Sequence, residues 1–193
     1  MSHYFQFDPE LELTEHTINE NIFGQHFIFL TSNGLFSYTK FDYPSLLLIE
    51  NTTLPIGEVL DLGCGYGLIG IILAKIHKIN LTQSDINPLA VKYCKKNAAL
   101  NSINSEVILS DGFQNIDKTF DAIYLNPPIH AGKSTCLRLY KESAIHLNPN
   151  GRLNLVIQKK HGAESTINDL KQIYSKCNIL YKKKGIYVIE CLL

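Results

Sequence analysis

The spacing of apolar positions changes near residue 58. From there on, short apolar runs alternate with stretches of helical period. EVLDLG (58–63), NLTQSDI (80–86), EVILSD (106–111), FDAIYLN (120–126) and RLNLVIQ (152–158) have the length and content of buried strands. Helices are expected between them, over about 67–77, 88–101, 134–147 and 163–174. Asn148-Pro149-Asn150-Gly151 should stop the third of these. NILYK (178–182) and IYVIECLL (186–193) are separated only by a short turn at Lys184-Gly185, so they should pair antiparallel. Strands alternating with helices predict an α/β fold, a doubly wound and mostly parallel seven-stranded sheet with an antiparallel last strand.

The first 57 residues follow another pattern. HFIFLTSNGLFSY (26–38) has two apolar runs around Asn33-Gly34. Asn-Gly tolerates positive φ at both positions, which predicts a hairpin turning there. Pro44 suits the first turn of a helix reaching about residue 51. Residues 1–57 are thus expected to form an N-terminal extension, a hairpin plus helical segment, packed on a core of residues 58–193 in one compact domain.

Composition narrows the setting. A chain of 193 residues, 45% hydrophobic, suits one domain with a sizeable core. No apolar run approaches the roughly 18 residues of a membrane span. The start, MSHYFQFDPELELTE, turns acidic at once, unlike a signal peptide. Five scattered cysteines without a C-x-x-C pair suggest free thiols, no metal site and a cytoplasmic location. The formal net charge is zero, whereas free-standing nucleic-acid binders are usually basic. The distribution is uneven, however. Residues 1–100 carry 6 basic and 10 acidic side chains, and residues 101–193 carry 12 and 8. Lys159, Lys160, His161 and Lys182 to Lys184 fit either a solvated surface or a basic face beside a phosphate backbone.

The candidate chemistry begins at DLGCGYGLIG (61–70), where a strand gives way to a helix. Glycines let the backbone approach a ligand, and the helix start offers unpaired N–H groups. Gly65, Gly67 and Gly70 also fit a dinucleotide fingerprint. Asp85 ends the second strand of this series and Asp111 the third. With Asp61 they place three carboxylates at the carboxyl edge of the sheet, where open α/β sheets bind ligands, and an acid at the second tip can hold ribose hydroxyls. DLGCGYG, SDIN, SDGF and LNPPIH together resemble a class I S-adenosylmethionine-dependent methyltransferase, a Rossmann-like fold. The resemblance implies that Gly63, Gly65 and Gly67 wrap the methionine part of S-adenosylmethionine, with Asp61 beneath. It implies that Asp85 takes the ribose and Asp111 the adenine amine. Ile86, Gly112 and Phe113 would flank the adenine, and Asn126 would border the methyl group.

LNPPIHAGK (125–133) ends the fourth strand of the series in a stiff corner. Two prolines fix φ there. The Asn126 side chain and the Pro127 carbonyl are two acceptors for the protons of one exocyclic amine, which is catalysis by positioning. Asn-Pro-Pro is similar to the motif of amino-group methyltransferases. With His, Gly and Lys following, and with GLFSYTKFDYPSLLLIE (34–50) upstream, the chain resembles single-domain relatives of the small-subunit ribosomal RNA guanine-N2 methyltransferases. That resemblance implies RNA as substrate and Pro128, Ile129, His130, Lys133, Phe36 and Tyr38 as substrate contacts. One departure is Ile129, where the family usually has an aromatic to stack on a flipped base. His130 is open to stacking or hydrogen bonding, and Lys133 to a phosphate contact or plain solvation. Phe36 and Tyr38 also fit simple hairpin packing. The competing readings are a protein glutamine-N5 methyltransferase, an adenine-N6 methyltransferase, a NAD-dependent dehydrogenase and a binding or assembly subunit without chemistry.

Overall fold

The computed structural model describes residues 12–193. The first eleven residues of the expected extension, with most of the acidic start, lie outside the described residues. Strands β1 (Glu15–Ile22) and β2 (Gln25–Ser32) form an antiparallel hairpin, followed by helix α1 (Tyr43–Asn51). The alternating series then runs β3 (Gly57–Leu62), α2 (Leu68–Ile76), β4 (Ile79–Asp85), α3 (Pro88–Leu100), β5 (Ser105–Leu109) and β6 (Phe120–Leu125). It continues through α4 (Lys133–Ile145), β7 (Leu147–Gln158), α5 (Ala163–Lys171), β8 (Lys176–Lys183) and β9 (Ile186–Leu192).

The sheet has seven strands in the order β5-β4-β3-β6-β7-β9-β8. Strands β3 to β7 pair parallel, and β9 lies antiparallel between β7 and β8. This is the mostly parallel sheet that the sequence predicts. The chain winds outward from β3 to β5 and returns to β6 on the other side of β3. The order reverses there, so a crevice opens at the carboxyl ends of these strands.

Both faces of the sheet are covered, as a parallel sheet requires. Alternate residues of β6 serve opposite faces. Ala122 and Tyr124 join the hairpin, α1, α2 and α3 in a cluster with Phe27, Phe29, Leu48, Ile71 and Leu89. Ile123 and Leu125 join Leu139 and Tyr140 of α4 and Leu170 of α5.

Three expectations need correction. The hairpin turns at Phe23-Gly24, with φ of 50° and 75°, and not at Asn33-Gly34. Asn33 instead extends the ladder: its backbone N–H donates to the Thr14 carbonyl, and its side chain bonds the Glu12 carbonyl and the Thr14 N–H. Register follows the inward face of β2, where Phe27, Phe29 and Thr31 are buried. Its partner β1 buries only Ile18 and reads as polar, so it carries no strand signal. The second correction is at the start of β7, five residues before the expected 152. Leu147 pairs with Phe120 and Arg152 with Ala122, so residues 148–151 bulge out within the strand rather than merely ending the helix. The third is β8, which runs longer than expected at both ends and shifts register between Ile179 and Tyr181.

The hairpin is fastened to α3 by two asparagines one helical turn apart. Asn97 Oδ1 accepts the Leu30 N–H at 2.7 Å, and its Nδ2 donates to the carbonyls of Leu30 (2.9 Å) and Tyr66 (2.8 Å). Asn101 treats Ile28 the same way, at 3.2 and 2.7 Å. Two side-chain amides thus pair with the outer edge of β2 as a neighbouring strand would. Asn97 is fully buried. Asn97→Ala should strand three backbone groups and destabilise the protein by roughly 2–4 kcal/mol in urea titration. A loss below about 0.5 kcal/mol, the size of an ordinary surface change, would show that the clamp contributes nothing.

Candidate active site

The loop from β3 into α2 carries Gly63, Gly65 and Gly67 at φ of 70°, 56° and 93°. A side chain at any of them would be strained. They differ in what surrounds them. A Cβ on Gly63 or Gly65 would meet nothing within 4 Å, whereas one on Gly67 would lie 2.7 Å from Ile71 Cδ1. The first two therefore leave room for a ligand, and the third lets α2 seat against the sheet.

The tip of β4 pins the loop. The N–H groups of Gly63 and Cys64 donate to the Ser84 carbonyl at 2.8 and 2.9 Å. Asp85 Oδ2 accepts the Gly65 N–H at 2.8 Å, and Oδ1 accepts the Asn87 N–H at 2.8 Å. Burial raises the Asp85 pKa, and N–H bonds from Asn87, Gly65 and Ile86 pull it back. Asp61, beneath the loop, is more isolated. Its Oδ2 accepts the Gly70 N–H at 2.8 Å, and its Oδ1 is buried without a partner. Burial pushes its pKa up to about 7, against the Gly70 bond, with the Asp85 charge adding to the rise.

The β6 corner is held from outside the sheet. Asn126 Nδ2 donates to Asp42 Oδ2 at 3.1 Å and to Ser45 Oγ at 3.0 Å. Asp42 is also the N-cap of α1, accepting the Ser45 N–H at 2.9 Å and the Ser45 hydroxyl at 2.8 Å. Past Asn126, the Pro127 carbonyl accepts the Ile129 N–H at 2.9 Å, which opens a 3₁₀ turn over Ile129–Ala131. One of the two lone pairs of that carbonyl is thereby committed. At the other end of the cleft, Asp111 Oδ1 receives Arg138 Nη2 of α4 at 2.5 Å, and Arg138 also reaches Glu142 at 3.1 Å.

These elements enclose one cleft of about 390 Å³, within the usual range for small-molecule sites. Of the residues singled out from sequence, Gly63, Gly65, Asp85, Ile86, Asp111, Gly112, Asn126, Pro127, Pro128, Ile129, His130 and Phe36 line it. Asp61 lies buried below. Gly67, Phe113, Tyr38 and Lys133 do not line it. The Phe113 ring stacks on His146 at 4.2 Å, Tyr38 packs near His16, and Lys133 pairs with Asp169 at 3.1 Å and Ser165 at 2.9 Å. Asp42, Ser45, Arg138 and His161 also line the cleft and were not singled out from sequence as site residues. Asp-x-x-Ser around Pro44 is a capping signal, which could have drawn attention to the first two. The His161 ring sits 6.2 Å from that of His130. Its pKa is lowered by burial and by the charges of Lys160 and His130. No group of three or more potential metal ligands occurs among the described residues, and none of their helices is long and apolar enough to cross a membrane.

Comparison with known proteins places these features in context. Residues 26–190 match the family model of the methyltransferase small domain. The chain is 38% identical to the uncharacterized protein YbxB of Bacillus subtilis strain 168 over 194 aligned residues, covering 97% of this chain and 96% of that one. It is 39% identical over 129 residues to ribosomal RNA small subunit methyltransferase C of Pasteurella multocida, covering 64% of this chain and 39% of that one. The chain therefore spans about two fifths of that longer relative. Among solved structures, the T. thermophilus 16S rRNA N2 G1207 methyltransferase (RsmC), in complex with AdoMet and guanosine, superposes with a TM-score of 0.81. It is 24% identical, and the match covers 96% of this chain and 52% of that one, so the likeness is one of fold.

The isolation of Asp61 has a measurable consequence. An acid whose pKa is higher in the folded than in the unfolded chain holds its proton more tightly when folded. Its contribution to stability is complete below about pH 4 and is lost as pH rises through about 7. Asp61→Asn keeps an acceptor for Gly70 and removes the titration. Urea unfolding at pH 5 and pH 8 should show the variant gaining on the wild type by roughly 2–3 kcal/mol between the two. An unchanged difference would mean that Asp61 titrates normally.

Proposed function

The chain belongs to the methyltransferase small domain family, and from that premise we propose that this S-adenosylmethionine-dependent methyltransferase modifies the exocyclic N2 amine of guanine in RNA, a ribosomal RNA. The observation that carries the proposal is the disposition of Asn126. Both of its amide hydrogens are engaged, by Asp42 and Ser45. Only the NH₂ end of an amide can face a carboxylate, because a carboxylate has nothing to donate. Asn126 therefore offers a ligand its oxygen, an acceptor. An acceptor at this corner selects a group that brings N–H, such as an exocyclic amine, over a phosphate or a carbonyl oxygen.

The residues present fit S-adenosylmethionine. Gly63 and Gly65 leave open space above the loop. Asp85 sits at the second strand tip with lone pairs to spare for ribose hydroxyls. Asp61 keeps a buried, unpartnered oxygen beneath the loop, and a bound ligand that carries cationic groups would favour its ionised form. When bound, the cofactor supplies an electrophilic methyl group on a sulfonium sulfur. Asn126 holds the amine so that its nitrogen lone pair is directed, and the remaining lone pair of the Pro127 carbonyl takes the second N–H. Pro127 and Pro128 keep both acceptors from drifting. An amine that gains a methyl group must give up a proton. An amide oxygen cannot keep a proton at neutral pH, so the proton goes on to solvent past exposed His130.

Guanine and RNA are supported by the names of the relatives. They are supported too by Lys159 and Lys160, exposed beside His161 at the cleft. Phe36, 43% exposed at the cleft wall, offers a stacking face where Ile129 lacks one. A ribosomal RNA substrate implies a cytoplasmic location.

The test is transfer of labelled methyl to ribosomal RNA and subunits, followed by digestion to nucleosides. N2-methylguanosine is the expected product, with binding that weakens as salt rises. N6-methyladenosine or methylated glutamine as sole product would contradict the guanine assignment. Two variants separate the halves of the site. Asn126→Ala should lower single-turnover transfer by about 10²–10³ with cofactor affinity nearly intact. Asp85→Ala should instead weaken cofactor binding by roughly 1.5–3 kcal/mol in calorimetry. Wild-type transfer by Asn126→Ala would show that the corner is only a turn.

A further inference from the structure

We propose that Asp42 is a positioning residue for methyl transfer, acting through Ser45 and Asn126 to keep an acceptor aimed at the substrate amine. The inference rests on the reading of Asn126 given above. Asp42 precedes Asn126 by 84 residues and belongs to the segment entering α1, not to the strand edge that supplies the rest of the site. Its Oδ2 gathers three donors: the Ser45 N–H, the Ser45 hydroxyl and the Asn126 amide.

Only one arrangement of protons satisfies this network. The carboxylate cannot donate, so the Ser45 hydroxyl must give it its proton. That leaves the Ser45 oxygen with lone pairs alone to offer, and it accepts the second Asn126 N–H at 3.0 Å. The Asn126 amide then has no second orientation: turned over, its oxygen would face a carboxylate and a hydroxyl whose proton is already given. Without an acceptor oxygen at this position, the Ser45 hydroxyl is free to rotate and donate, and the amide can flip. A flipped Asn126 presents N–H to an incoming N–H and repels it.

Capping α1 does not account for this arrangement. A cap requires one acceptor for the Ser45 N–H, which serine, asparagine or threonine also supplies. The bond to Asn126 is additional. Asp42 and Ser45 also line the cleft, and Ser45, which joins the other two, is only 4% exposed.

Three substitutions divide capping from positioning. Asp42→Ser keeps an N-cap and is too short to reach Asn126. Asp42→Asn keeps both the cap and an acceptor of full reach. Ser45→Ala leaves the Asp42 cap on the backbone N–H and removes the second partner of Asn126. Single-turnover transfer from labelled cofactor to ribosomal RNA would be measured beside cofactor affinity, RNA affinity and melting temperature. Asp42→Ser and Ser45→Ala should each slow transfer by about tenfold or more, with both affinities within about twofold of wild type. Asp42→Asn should restore most of the rate. Asp42→Ser added to Asn126→Ala should cost nothing further, because a lever has no effect once its load is gone.

A folded Asp42→Ser protein that transfers at the wild-type rate would overturn the proposal. So would a double variant slower than Asn126→Ala by the full factor, since Asp42 would then act on its own. If Asp42→Ser does not fold, Ser45→Ala decides, and a wild-type rate there overturns the proposal. Wild-type transfer by Asn126→Ala alone would mark a different failure, that of the amine-acceptor reading, and would take the proposal with it.

Discussion

A carboxylate only accepts hydrogen bonds, and a primary amide donates at one end and accepts at the other. Those two facts tie the N-terminal segment to the chemistry of the cleft. Asp42 faces Asn126 Nδ2, so the Asn126 oxygen is left for a ligand. In the proposed function, the preference for an N–H-bearing substrate follows from that orientation. The strand edge alone would not impose it, since Asn126 on a bare β6 tip has two amide orientations of similar energy. The segment that decides between them must itself be held. The asparagines on α3 grip the outer edge of β2, and Asp42 caps α1 a few residues on. The family match beginning at residue 26, well before the sheet, is consistent with a segment that belongs to the working unit.

The acids of the cleft show how one residue type takes different states by environment. Asp85 is half-buried and collects backbone N–H groups on both oxygens. Asp61 has one such bond and an orphaned oxygen, and its pKa climbs to about 7. Asp111 is partly exposed and bound to Arg138. Its bond to Arg138 links α4 to the end of β5, so the wall of the cleft opposite Asn126 is also set by side chains and not by the sheet alone.

Much of this was legible in the sequence where a local pattern maps onto a local structure. Most of the parallel strands carry short apolar runs, β4 with its buried Thr82, Gln83 and Ser84 being the exception, and Lys184 and Gly185 do adopt the positive φ of a tight turn, at 49° and 73°. The glycines after β3 announce a tight loop, which borders the cleft, and Asp85 and Asn126 sit where the strands end. Legibility failed where structure depends on distant partners. Strand β1 is polar on nearly every residue because its outward face meets solvent and its pairing is supplied by β2. Asn33-Gly34 does turn the chain, with the Leu35 N–H donating to the Ser32 carbonyl at 2.9 Å, but the pairing partner of β2 lies before it in β1 and no strand follows the turn. Phe113 follows Asp111 and Gly112 and reads as a ring beside the cleft, yet His146 and the α4 face offer it a drier place. Asp42 looks like an ordinary cap, since nothing in the local sequence shows what lies 84 residues away.

The orientation of the acceptor at Asn126 is tested most directly by the pH dependence of an Asn126→Asp variant. A carboxylate at 126 would face the Asp42 carboxylate, and two such groups sharing a site cannot both stay ionised easily, so one pKa rises. Only when protonated can the new side chain do what asparagine does, donating O–H to Asp42 and offering a carbonyl oxygen to the amine. Single-turnover methyl transfer at saturating cofactor should therefore increase as pH falls through the raised pKa, while the wild type shows no such rise. A variant that follows the wild-type pH profile, or is fastest at high pH, would contradict the account.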